Sequence, residues 1–163
     1  MDNNKNSVFR TVRGYQLVNQ KKDKLTPALE DYLEMAYRLC LENSYTRVGK
    51  LSELLHVKPS SASKMIFKLA NLGYLKYDPY EIIQLTDRGR ETGEYLLNRH
   101  VTIESFLRLI GSSNPLKETE LIEHSLSSTT VSYLNDLLEY FRLNASAQKG
   151  FDDFKKNKRK NKK

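Results

Sequence analysis

Between Glu118 and Ser127 the chain reads E-T-E-L-I-E-H-S-L-S, and helical spacing sets Glu120, Glu123 and His124 on one face. Like charges at that spacing repel by ~0.2–0.5 kcal/mol unless a cation sits between them. Water and salt, a lysine or a divalent metal ion would each meet that need. Two more sets share this character: Asp31 with Glu34 at i, i+3, and His100 with Glu104 one turn further on. Each set alone occurs on ordinary solvated helices, and spacing along the chain does not show that three helices meet. Convergence is favoured by composition: two of the chain's three histidines accompany clustered carboxylates in its acidic half. A site built from them would offer oxygen and imidazole nitrogen without thiolate, which suits Mn²⁺ or another six-coordinate divalent ion better than tetrahedral zinc. Asp31, Glu34, Glu120 and Glu123 together balance the charge of up to two such ions.

A second constellation follows Lys58. The stretch Pro59-Ser60-Ser61-Ala62-Ser63-Lys64 is small and hydroxyl-rich, and its apolar residues are held back to Met65, Ile66, Leu69 and Leu72. Small side chains let a helix start enter the major groove, where serine hydroxyls reach base edges or phosphates. Arg47, Lys58, Lys64 and Lys68 would contact the phosphate backbone, setting affinity and register more than sequence choice. The same residues also make a good helix start with a solvated lysine face. Neighbouring elements favour double-stranded DNA: a short helix precedes across the turn H-V-K-P, and two short strands, Y-L-K-Y and I-I-Q-L-T, follow around D-P-Y-E. Helix, turn, helix and hairpin together describe a winged helix. His56, in the turn, reads as a surface or packing residue.

The remaining elements must position these sets. Thr26 is a natural N-cap and Pro27 a natural first helical residue, with Leu29, Leu33, Ala36 and Cys40 as the buried stripe. Gly73 closes the DNA-reading helix. Thr86 or Asp87 caps a long helix running to about Ile110, broken by Gly111 and Pro115. A last helix over Thr129–Leu143 carries Val131, Leu134, Leu138 and Phe141 as its apolar stripe.

The 163 residues suffice for one core or two small ones, and the formal charge of +7 is unevenly spread. Lys155–Lys163 holds seven Lys/Arg and no acid, and the first 24 residues are net +4. Tyr45–Tyr80 is net +4, whereas Glu91–Phe154 carries ten acids against five bases. One half is dressed for a polyanion and the other for cations. A single cysteine excludes an internal disulfide, and neither a membrane span nor a secretory leader is visible, so a cytoplasmic protein is expected.

Taken in order, L-T-P-x-x-E-D-Y-L-E-x-x-Y, V-x-x-L-S-E-x-L-x-V-x-P-S-S-A-S-K-M, L-x-x-x-G-Y-L-x-Y, L-T-x-x-G, R-H and E-T-E-L-I-E-H resemble the diphtheria-toxin-repressor family. The likeness runs from Leu25 to Arg142 and is nearest to the family's manganese-transport-regulator branch. It implies a winged helix joined to a helical dimerisation and metal-binding domain. It also implies a homodimer reading an operator, and Asp31, Glu34, His100, Glu120, Glu123 and His124 as metal ligands. Mn²⁺ is the implied cofactor. Fe²⁺ is less favoured, because iron-responsive relatives carry a methionine where Asp31 stands and a cysteine where Glu120 stands. Glu104 matches an ancillary metal position of that iron branch.

The expected fold is mainly α, with a small β-hairpin wing. The expected layout is a basic extension over 1–24, a DNA-binding domain over 25–90, a dimerisation and metal domain over 91–145, and a disordered basic tail over 146–163. Departures from the family pattern are the acidic wing tip Asp78-Pro79-Tyr80-Glu81, the N-terminal extension and the lysine-rich tail. The expected function is manganese-activated repression of metal-uptake genes, with no enzymatic activity. The alternatives are an iron-responsive regulator, a winged-helix regulator without metal, and a di-metal hydrolase, which would leave the winged helix unexplained.

Overall fold

The computed structural model describes residues 25–78 and 82–160. The N-terminal extension, the wing tip at 79–81 and the last three residues, on all of which expectations were placed, lie outside the described residues.

Helix α1 (Pro27–Asn43) opens with the Thr26 hydroxyl accepting the Leu29 N–H at 3.3 Å and ends at Ser44 in the left-handed region. The two-residue strand β1 (Thr46–Arg47) leads into α2 (Val48–Leu54), a turn with His56 at φ 52°, and α3 (Pro59–Asn71). Gly73 at φ 80° redirects the chain into β2 (Leu75–Tyr77), which pairs with β3 (Ile82–Leu85). The antiparallel sheet has the order β1-β3-β2, with Thr46 opposite Ile83 and Tyr77 opposite the same residue from the other side. The wing is therefore a hairpin with a third strand, β1, to which the sequence reading assigned no element.

Leu33, Leu51, Ile66, Leu69 and Ile83 are wholly buried at the centre of this unit. They come from α1, α2, α3 and β3, so the winged helix closes around its own core. His56 is exposed, as expected of a turn residue.

Thr86 caps α4 (Asp87–Ile110), whose length of about 36 Å at 1.5 Å per residue carries the chain away from the sheet. The helix runs unbroken through residues 90 and 91, so both halves share it. It packs antiparallel on α1, and Gly93 marks a close approach. A Cβ there would lie 2.6 Å from the Cβ of Tyr37. Two turns beyond Gly93, that same face of α4 brings His100 alongside the acidic start of α1.

Helix α5 (Pro115–Ile122) gives way to a 3-10 turn at Glu123–Ser125, and α6 (Ser128–Leu143) follows from its N-cap Ser127. The inward stripe of α6 is the expected one, with Val131 buried and Leu134, Leu138 and Phe141 half-buried. The stretch expected to be a disordered tail instead continues into α7 (Ala145–Lys160). Its lysines hid two anchors. The Phe151 ring packs against Phe141 at 5.4 Å between centroids, and the Lys155 ammonium donates to the Leu109 carbonyl at 2.6 Å. Among the described residues no helix is long and apolar enough to cross a membrane.

Candidate metal centre and nucleic-acid interface

The antiparallel packing of α1 on α4 decides the first site. Stepping back along α1 from Tyr37 to Glu34 and Asp31, while moving up α4 from Gly93 to His100, puts both carboxylates beside the imidazole. The α5 segment closes the third side. Asp31, Glu34, His100, Glu120 and Glu123 line one cavity of about 220 Å³, together with Met35, Arg38, Leu55 and Leu116. Donor atoms of Glu34, His100 and Glu123 lie within 4.8 Å of one another, and all three residues are buried. His100 Nδ1 is 3.2 Å from Glu123 Oε2 and 4.0 Å from Glu120 Oε1.

His124 reaches the same cluster from the other side, with Nε2 3.1 Å from Asp31 Oδ1 and Nδ1 2.8 Å from Glu30 Oε2. All six candidates read from the sequence therefore come together, although not on one α-helical face. The α-helix stops at Ile122, and the tighter 3-10 turn carries Glu123 inward to 2% exposure while Glu120 stays half in solvent. Glu104 is peripheral: its carboxylate is paired with Arg108 and lies 3.9 Å from His100 Nε2.

Two residues of this cluster were missed by sequence reading. Glu30 accepts from Arg99 Nη1 at 2.9 Å as well as from His124. Arg99 is 4% exposed, and its Nε, 3.9 Å from Glu123, has no hydrogen-bond partner among the described residues. Arg99 Nη2 also lies 3.2 Å from His124 Nδ1. With that nitrogen donating to Glu30, the two are neighbouring donors sharing one carboxylate. The only sequence signals were the E-D and R-H dipeptides, and neither shows that α1 meets α4.

The charges shift one another. Hydrogen bonds to Asp31 and Glu30 outweigh burial and push His124 up to about 10. The Glu123 carboxylate raises His100 against its burial. Burial, reinforced by the Glu123 charge, raises Glu120. Burial also pushes Glu30 upward, but hydrogen bonds from His124 and Arg99 prevail and leave it lowered. Buried carboxylates this close require nearby positive charge. The His124 proton, Arg99 and Arg38 supply it here, and a divalent cation fits the same need. The donor chemistry fits such an ion, since the carboxylates and the imidazole that line the cavity offer oxygen and nitrogen, with the Met35 thioether as the one sulfur on its wall. Cys40 lies apart, with Sγ 3.8 Å from the Ile83 carbonyl.

The second site is the outer face of α3. Ala62, Ile66 and Leu69 are buried, which turns Lys58, Pro59, Ser60, Ser61, Lys64 and Lys68 outward and leaves Ser63 half-buried. Arg47 is exposed on β1, opposite Ile82 at the base of the wing. The face also holds Phe67, 58% exposed, which sequence reading passed over. Its distance of four residues from Ser63 and three from Lys64 was the available signal.

A winged helix whose first helix also walls a carboxylate–imidazole cavity describes a regulator that couples a cation to DNA. Residues 24–82 match the family described as "Iron dependent repressor, N-terminal DNA binding domain". Residues 86–150 match "Iron dependent repressor, metal binding and dimerisation domain". The chain is 44% identical over 119 residues to the HTH-type transcriptional regulator MntR of Geobacillus kaustophilus, covering 72% of this chain and 84% of that one. It is 38% identical over 138 residues to the MntR of Shouchella clausii, covering 83% and 94%.

Solved structures agree. The metal-dependent transcriptional regulator MtsR superposes with a TM-score of 0.63 at 28% identity. The manganese regulator SloR does so with 0.60 at 28%. In each case 71% of this chain is covered, and the chain spans only 55% of the solved one. The chain belongs to the iron-dependent repressor family. It is a metal-binding, DNA-binding transcription regulator of a family whose members are regulators rather than enzymes.

Proposed function

We propose that this chain is a manganese-activated repressor of metal-uptake genes, working as a homodimer on a pseudo-palindromic operator. The observation that carries the reading is the meeting of Asp31 and Glu34 from α1 with His100, Glu120 and Glu123 around one cavity, with His124 joined to it through Asp31. Helix α1 belongs to the core of the winged helix, and the other four residues belong to the helical half. When bound, the divalent ion supplies the positive charge that lets these carboxylates and imidazoles share one site. The all-oxygen-and-nitrogen donor set supports Mn²⁺, and the names of the two MntR relatives and of SloR point the same way.

The residues then divide the work. Glu34, His100 and Glu123 form the buried heart of the centre, Asp31 and Glu120 its solvent side. His124 is oriented through Nδ1 by Glu30, which Arg99 anchors in turn. Holding α1 against α4 fixes the angle at which each α3 is presented. A twofold partner then places two such helices in successive major grooves. On α3, Lys58, Lys64 and Lys68, with Arg47 beside them, contact phosphates, and Pro59, Ser60, Ser61 and Ser63 approach base edges. Metal thus favours the DNA-competent arrangement through its differential affinity for it.

The test uses a duplex selected from a random library by the Mn²⁺-loaded wild type. Glu123→Ala and His100→Ala are expected to weaken calorimetric Mn²⁺ binding and Mn²⁺-dependent duplex binding by at least about tenfold, with the dimer intact. Unchanged Mn²⁺ binding in both variants removes the ligand assignment. Activation by Fe²⁺ but not Mn²⁺ in the same assay moves the protein to an iron-responsive reading.

A further inference from the structure

The cavity has one wall residue that does not fit a simple cation site. Arg38 lies one helical turn after Glu34 on α1, and its guanidinium grips a single carboxylate oxygen. Nε is 3.0 Å and Nη2 2.5 Å from Glu34 Oε1. The guanidinium is always charged, so this cation is present at every pH the protein meets.

The other arginine of the cluster behaves differently. Arg99 is 4% exposed and locked to Glu30, whereas the Arg38 side chain is 40% exposed over a Glu34 side chain that is 11% exposed. Arg38 therefore reaches in from solvent, with its side chain still partly hydrated. Arg99 cannot leave without taking from Glu30 one of its two charged partners.

We propose that Arg38 is a built-in competitor for Glu34, and that it sets the concentration of divalent ion at which the centre fills. The proposal rests on the metal-centre reading above. Glu34 is one of the three buried groups whose donor atoms converge, so a cation taking Oε1 must break the pair with Arg38, and one taking Oε2 must share the carboxylate with its guanidinium. Breaking a charge-assisted, two-pronged hydrogen bond shifts the binding curve to higher ion concentration without closing the site. Removing the guanidinium leaves Glu34 unpaired and the cavity more negative, so the ion binds more tightly. Lysine in its place keeps the charge but loses the two-pronged grip.

The experiment is calorimetric titration of the full chain with Mn²⁺ alone, without DNA, with free Mn²⁺ followed in parallel by electron paramagnetic resonance. Arg38→Met and Arg38→Gln are expected to lower the Mn²⁺ dissociation constant by about three- to tenfold. Arg38→Lys should fall between them and the wild type. Using both neutral variants guards against one of them folding poorly. Wild-type-like or weaker Mn²⁺ binding in both neutral variants, beside normal binding by the wild type, overturns the competitor role and leaves the metal centre standing. Absence of Mn²⁺ binding in the wild type as well overturns the metal-centre reading and this inference with it.

Discussion

The winged helix closes a core running from Leu29 to Leu96, whereas the helical half buries only Ile103, Leu107 and Val131 as a separate cluster. The difference lies in where the apolar residues point. In α3 one stripe faces inward and the opposite face carries serines and lysines. In α6 the inward stripe of Val131, Leu134, Leu138 and Phe141 is joined by a second, exposed one of Tyr133, Leu137 and Tyr140. A helix apolar on two sides needs two partners. One partner is α4 in the same chain, and the match to a dimerisation domain makes a second copy the expected other. The DNA-binding half is thus built to stand by itself, and the other half to be completed by association.

The largest effect separates the two directly. Leu33 is wholly buried in the large core, and Leu33→Ala is expected to cost about 2–5 kcal/mol of stability in denaturant unfolding. Leu137→Ala, on the exposed stripe, should barely move the unfolding midpoint of dilute protein. A comparable loss from both would erase the contrast.

Next comes association. Leu137→Glu combined with Tyr140→Glu places charge on the outward stripe of α6 and should weaken self-association by about 2 kcal/mol, near thirtyfold. Sedimentation velocity across a concentration series reads it. A dimer unmoved by both charges assigns the twofold contact to another surface.

This contrast explains what was legible in the chain. The N-terminal half obeys local rules: Thr26 and Pro27 start α1, Gly73 ends the DNA-reading helix and Thr86 starts α4, each where the residue type requires. Strand β1 has two residues, too short for a period, and exists only because β3 lies beside Thr46 and Arg47. Helix α7 was hidden because Phe151 and Lys155 find partners on α6 and α4 that only the fold supplies. At the site, residue types announced the donors. Glu30, Arg99 and Arg38 act through contacts that depend on the packing of α1 against α4, or on which faces that packing buries.

A charged cluster holds the helical half to the first where apolar packing is thin, and its pH response follows from His124. The folded value of about 10 lies above the unfolded 6.5, raised by hydrogen bonds to Asp31 and Glu30. The proton then stabilises the fold fully below pH 6.5, and that contribution fades as pH climbs towards 10. In metal-free protein, the stability gap between wild type and His124→Gln should narrow steadily from pH 6 to pH 10. A constant gap means that His124 is not held by those carboxylates.

The smallest effect lies at the exposed face of α3, where a single aromatic interrupts the serines and lysines. Phe67 has 58% of its surface in solvent, although its neighbours Ile66 and Leu69 are buried completely. Beside the hydroxyls and ammonium groups proposed to contact phosphates, an apolar ring entering a major groove would find its natural contact in the thymine methyl group. Replacing thymine by uracil in the selected duplex deletes that methyl and nothing else. For the wild type, one thymine per half-site should then cost about 1 kcal/mol, roughly fivefold in affinity. Phe67→Ala should bind thymine and uracil duplexes equally, with an unchanged dependence on salt, because no phosphate contact is lost. Lys64→Ala should do the reverse, flattening the salt dependence while keeping the methyl preference. If Phe67→Ala retains the methyl preference, sequence choice belongs to the serines alone, and the ring plays no part in reading the operator.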